Sequence, residues 1–247
     1  MKRQSDLDGT TQQPTHDRAW LYNEEAKQVL VWLHGGPADI CLNNFDPRIQ
    51  FAALNGVAVF TPNFRGSTGY GKEFERLNRN DLGGGDLRDV IEGISYLERQ
   101  GYGPFVVGGQ SYGAYLALMV LVKYPEICKG GVCMSGMYLL FPEYASSWLI
   151  NSGCIWMDLE DEELLAERSP ACCIENLAAP AFIVHGKLDQ YTPISSLRYM
   201  LQRPRKVNKD RLLNVIIYDD EGHGLSKKEH IKETYQKIVK FTNEMTR

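Results

Sequence analysis

The chain has 247 residues, a formal net charge of −4 and an apolar fraction of 43%. That length suits one large α/β domain or two small ones, with enough apolar residues for an ordinary core. The negative balance and the lack of a basic stripe argue against a nucleic-acid partner.

Residues 1–25 are polar with little periodicity and read as a flexible tail or an edge extension. From there strands and helices alternate. Val29 to Leu33 is a buried strand, Pro47 to Asn55 a helix and Val57 to Phe60 a second strand. Asp86 to Arg99 sets Val90, Ile91, Ile94 and Leu97 at helical spacing. A buried strand at Phe105 to Gly108 then leads through Gly109-Gln110-Ser111-Tyr112-Gly113 into an apolar helix reaching Leu121. Strands follow near Gly131 to Met134, at Ala181 to Val184 and at Leu212 to Tyr218, with helices from about Ile194 to Leu201 and Lys227 to Phe241.

Repeated βα units predict a mostly parallel central sheet with helices on both faces. No internal repeat or linker divides it, so residues 26–247 are expected to form one domain. Residues 136–168 break the rhythm: Tyr138, Phe141, Tyr144, Trp148 and Trp156 crowd an irregular stretch, and Asp158 to Glu163 is acidic. Two readings stay open. The stretch is either an insertion above the sheet that brings aromatics to a site, or a packing excursion with a solvated acidic face.

The six cysteines show no C-x-x-C spacing, and the adjacent Cys172-Cys173 pair is a poor metal clip. No metal and no cofactor is expected, and the chain reads as reduced and cytoplasmic. The longest apolar runs are too short to cross a bilayer, and no hydrophobic stretch follows Lys2 and Arg3 to make a secretory signal.

A Gly-x-Ser-x-Gly set between a buried strand and a buried helix is the nucleophile elbow of the α/β-hydrolases. The turn admits only glycine beside the serine, and it presents Ser111 at the start of a helix, where negative charge is favoured. A serine hydroxyl needs a base to take its proton. His223 follows the last strand within Asp219-Asp220-Glu221-Gly222-His223-Gly224, at the same sheet edge as the elbow. The acid should lie between them. Asp189 opens the loop after Ala181 to Val184 and is placed to accept from His223 Nδ1. Asp219, Asp220 and Glu221 sit too close along one loop and are expected to solvate the ring, while His185 is expected to pack beneath. For the oxyanion, the Tyr112 N–H is one donor. A second is expected from the Gly35-Gly36 loop of His34-Gly35-Gly36-Pro37. Tyr138 and Trp148 are candidate linings of an apolar substrate pocket.

These pieces together resemble the catalytic domain of the prolyl oligopeptidase family, in its acylaminoacyl-peptidase and dipeptidyl-peptidase-like branches. The matching residues are His34-Gly35-Gly36-Pro37, Asn63 to Gly71, Gly108 to Tyr115, Glu167-Arg168-Ser169-Pro170, His185 to Asp189 and Glu221 to Gly224. The resemblance implies a triad of Ser111, Asp189 and His223. It also implies an ion pair of Arg65 with Asp86 holding the 63–71 loop, and a serine peptidase acting on short peptides or acylated amino acids. Family members usually carry a β-propeller that limits access to short peptides, and only about 25 residues precede the hydrolase region here. The filter is therefore expected to be missing, or supplied by the tail or by homo-oligomerisation. An esterase, thioesterase or acyltransferase acting on a small-molecule substrate is the alternative.

Overall fold

The computed structural model describes residues 18–146, 157–206 and 208–247. Its centre is a seven-stranded sheet in the order β1-β3-β2-β4-β5-β6-β7. The strands are β1 (Ala19–Tyr22), β2 (Val29–Leu33), β3 (Ala58–Pro62), β4 (Phe105–Gln110), β5 (Gly130–Met134), β6 (Ala181–Gly186) and β7 (Leu213–Tyr218). All neighbours are parallel except β1, which runs antiparallel to β3. Part of the polar segment read as tail or edge extension is thus an edge strand.

The helices are α1 (Pro47–Leu54), α2 (Lys72–Glu75), α3 (Gly85–Arg99), α4 (Tyr112–Lys123), α5 (Glu162–Glu167), α6 (Ile194–Lys206) and α7 (Lys228–Met245). Alternation along each strand assigns them to faces. In β2, Val29, Val31 and Leu33 join one core with α3, α4 and α6, while Leu30 and Trp32 join the other with α1 and α7. Burial on both faces explains why the inner strands are continuous apolar runs. Helix α4 is buried from Tyr112 to Val122, which explains its lack of a polar face. Among the described residues no helix is long and apolar enough to cross a membrane.

Strand register aims the site. Leu33 pairs with Gly109, Gln110 with Met134, Met134 with Val184, and Gly186 with Tyr218. The loops that follow β2, β4, β6 and β7 therefore leave the sheet along one edge. The chain goes from β2 out to β3 and then crosses to the other side of β2 with β4. That reversal is the switch point at which open α/β sheets bind ligands, and Ser111 stands there.

Candidate active site

Ser111 joins β4 to α4 with φ 57° and ψ −118°. This left-handed φ is costly for a residue with a side chain and persists only where the surroundings enforce it. Here the Ser111 N–H donates to Met134 O at 2.9 Å, and Ser111 O accepts from Tyr115 N at 3.1 Å. Beside it runs the loop after β2: a Cβ added to Gly35 would lie 3.4 Å from Ser111 Cβ. His34 shapes that loop from below. Its Nδ1 lies 2.7 Å from Gly35 O and its Nε2 2.7 Å from Ser67 Oγ. Its ring stacks on Phe64 with centroids 4.3 Å apart. Burial lowers the His34 pKa, and because a carbonyl can only accept, Nδ1 carries a proton.

Across the edge, His223 Nδ1 lies 2.9 Å from Asp189 Oδ2 and 3.1 Å from Oδ1. The carboxylate also accepts from Tyr191 N at 2.9 Å, Thr192 N at 2.8 Å and Thr192 Oγ1 at 2.7 Å. Burial alone would raise the Asp189 pKa, but the His223 and Thr192 bonds bring it below the ordinary value. An ionised carboxylate can only accept, so the proton of neutral His223 sits on Nδ1 and Nε2 keeps its lone pair. His185 is buried below, donating from Nε2 to Thr192 O at 2.8 Å.

Two residues to which sequence reasoning gave no role, Thr192 and Gln110, complete the arrangement, and a third, Glu221, has a role other than the expected one. Thr192 Oγ1 lies between Asp189 Oδ2, Ser135 O at 3.0 Å and His223 Nδ1 at 3.3 Å. Gln110 Nε2 donates to His223 O at 3.2 Å, tying the histidine loop to the elbow. Glu221 anchors that loop rather than solvating the ring. Its buried carboxylate accepts from Ser226 N, Ser226 Oγ, Lys227 N and His230 Nδ1 at 2.7 to 3.0 Å. Burial opposes ionisation, yet these bonds lower its pKa to about 2. Asp219 and Asp220 instead pair with Lys187 and Lys227.

A sequence profile of the prolyl oligopeptidase family matches residues 43–247. The chain belongs to the prolyl oligopeptidase family. It is 27% identical to dipeptidyl peptidase family member 6 of Caenorhabditis elegans, over 96% of this chain and 34% of that protein. Among solved structures, a Mycobacterium tuberculosis puromycin-hydrolyzing peptidase superposes with TM-score 0.86 at 21% identity, covering 97% of this chain and 38% of that one. The acylaminoacyl peptidase of Pyrococcus horikoshii gives 0.82 at 23%, covering 91% and 39%. These structural likenesses establish the shared fold. The chain spans about a third of the length of the curated relatives it matches.

In this member of the prolyl oligopeptidase family, Arg65 pairs with Asp89, not with Asp86. Arg65 N and Nε both meet Asp89 Oδ2 at 2.8 Å, and Nη2 meets Oδ1 at 2.6 Å. Asp86 instead faces inward on α3 and accepts the Tyr112 hydroxyl beneath the elbow. Tyr112 packs on Phe64, which stacks on His34, so one buried chain runs under both expected oxyanion donors. Tyr138 is wholly buried with its ring 6.0 Å from that of His185, so it has no surface with which to line a pocket. Trp148, the other expected lining residue, lies outside the described residues.

Burial pushes the Asp86 carboxyl from its ordinary 3.8 up to about 7. Between those values the folded state holds a proton that the unfolded state has released, so stability falls as pH rises through that window. Asp86→Asn removes this dependence and still bonds Tyr112: its carbonyl keeps the Leu87 N–H and its NH₂ donates to the Tyr112 hydroxyl oxygen. The variant's stability relative to the parent should climb from about pH 4 to about pH 7 and then level off. Urea unfolding of both proteins across that range checks it, and a constant difference would contradict it.

Proposed function

We propose that Ser111, His223 and Asp189 act as nucleophile, base and orienting acid, and that residues 26–247 form the catalytic domain of a serine hydrolase. Its substrates are short peptides and acylated amino acids, cleaved at an amide or ester bond. The observation that carries this reading is the His223–Asp189 pair, with Nε2 left as a base, tied through Gln110 to the strained Ser111 elbow. Family membership and the peptidases among the relatives support it.

Ser111 Oγ attacks the carbonyl carbon and its proton passes to His223 Nε2. The Asp189 carboxylate stabilises the imidazolium. The oxyanion is held by the Tyr112 N–H, at the start of α4 where helix N–H groups lack partners, and by an N–H of the Gly35-Gly36 loop. His223 returns the proton to the leaving nitrogen or oxygen as the C–N or C–O bond breaks. Water then attacks the acyl-serine by the same route, releasing the acid and restoring the hydroxyl.

A fluorophosphonate should label the protein once, at Ser111, and leave Ser111→Ala unlabelled, with the adduct located by mass spectrometry. Failure of the folded protein to label would replace this reading with that of a binding protein on a hydrolase fold. Aminoacyl p-nitroanilides set against p-nitrophenyl esters then separate a peptidase from an esterase.

A further inference from the structure

Gln110 ends β4, immediately before the proposed nucleophile. The preceding residue, Gly109, faces α4, since a Cβ there would meet Gly113. Side chains alternate along a strand, so Gln110 points to the opposite face, where α1 begins. There Arg48 Nη1 lies 3.4 Å from Gln110 Oε1, while Gln110 Nε2 lies 3.2 Å from His223 O. A guanidinium has only donors and a carbonyl only accepts, so both neighbours fix the amide in the same orientation.

Arg48 is itself held. Its Nε lies 2.9 and 3.0 Å from the two Asp46 carboxylate oxygens, and its Nη2 lies 2.5 Å from Oδ2. Asp46 is in turn fixed as the N-cap of α1, accepting from Arg48 N at 2.8 Å. The fork geometry leaves Nη1 aimed at Gln110. One polar line therefore runs from the start of α1 through Asp46, Arg48 and Gln110 to the main chain of His223.

The histidine needs such a line. Glu221 anchors the rest of that loop, but Gly222 and Gly224 flank His223 itself, and glycine leaves the main chain there freer to turn. The Asp189 bond sets the ring about its own axis; the position of the backbone that carries the ring requires a second hold.

We propose that Gln110, oriented by Arg48, is a positioning residue that keeps His223 in register with Ser111. The proposal rests on the reading of Ser111 and His223 as nucleophile and base. Gln110 touches no reacting atom; it acts through His223. Loss of the clasp therefore slows proton transfer and leaves ground-state binding of a reagent unchanged.

The test is the concentration dependence of fluorophosphonate labelling, which separates the maximal rate from the half-saturating concentration. Gln110→Met keeps length and loses both bonds. The expected result is a maximal rate about tenfold lower, the equivalent of one hydrogen bond, with half-saturation and thermal midpoint unchanged. Gln110→Glu should be at least as slow, because its carboxylate keeps Arg48 but sets an acceptor against His223 O. Arg48→Met should lower the same rate by a smaller factor, since Gln110 keeps its bond to His223. A folded Gln110→Met that labels at the parent rate overturns the proposal. If that variant fails to fold, an unchanged rate in folded Arg48→Met overturns it instead. A parent protein that does not label at Ser111 overturns the triad reading itself, a separate outcome seen before any variant is made.

Discussion

Asp189→Asn should lower the rate of acylation by about 10⁴-fold while the protein stays folded, because it forces His223 into the wrong tautomer. The two carboxylate oxygens have different neighbours. Oδ1 accepts two main-chain N–H groups, from Tyr191 and Thr192, and a donor cannot replace it there. An asparagine must therefore keep its oxygen at that position and place its NH₂ where Oδ2 now stands, 2.9 Å from His223 Nδ1. The amide then donates to Nδ1, the imidazole proton moves to Nε2, and the lone pair that would accept the Ser111 proton is gone. Thr192 allows the swap without loss of structure. Its hydroxyl can turn from Asp189 to Ser135 O, 3.0 Å away, and accept from the new NH₂. The rate is read from fluorophosphonate labelling or ester hydrolysis, with circular dichroism as the folding control. A folded variant within tenfold of the parent would remove Asp189 from the mechanism.

The sheet and the order of its loops were legible because the signals are local. Val29 to Leu33 is an uninterrupted apolar run, and the structure has β2 over those residues. The elbow is marked by glycines that contacts on both sides demand. β1 was harder to see: it is four residues long, mostly half-buried, and paired along one edge only. The partner of Arg65 was misread for a similar reason. Asp86 and Asp89 are three apart on α3 and share a helix face, so spacing alone does not choose between them. The choice is made by Tyr112, which arrives from another element and takes Asp86. Gln110 and Thr192 were missed, and Glu221 was expected to solvate the ring. Gln110 acts on His223, which a different loop brings in, and linear order carries no trace of that contact. Thr192 and Glu221 bond near neighbours, Asp189 and the Ser226-Lys227 backbone, in turns whose geometry the residue order does not display. The acidic run Asp158 to Glu163 turned out partly to be a helix start, with Asp161 capping α5 by accepting from Leu164 N at 2.9 Å.

Gly113→Ala should cost roughly 3 kcal/mol or more, although alanine is the better helix former by about 1 kcal/mol. The reason is the approach of α4 to β2. A Cβ on Gly113 would lie 2.6 Å from Leu33 C and 2.7 Å from His34 O, and closest of all to Leu33 O. All three atoms are main chain. β2 is hydrogen-bonded to β3 on one side and β4 on the other, so it cannot retreat without breaking a ladder. Gly93 on α3 provides the contrast: its Cβ would meet only the Phe60 ring, at 3.0 and 3.3 Å, and a side chain can shift. Gly93→Ala should therefore cost less than half as much. Urea unfolding of both variants measures the difference, and equal midpoints would mean that the backbone contact does not set the cost. The same crowding bears on chemistry. Relief of the clash requires the first turn of α4 to move away from the 34–36 loop, which separates the Tyr112 N–H from the Gly35-Gly36 backbone. The variant should thus lose labelling at Ser111 even in conditions where it remains folded, because the two proposed oxyanion donors would no longer converge on one atom.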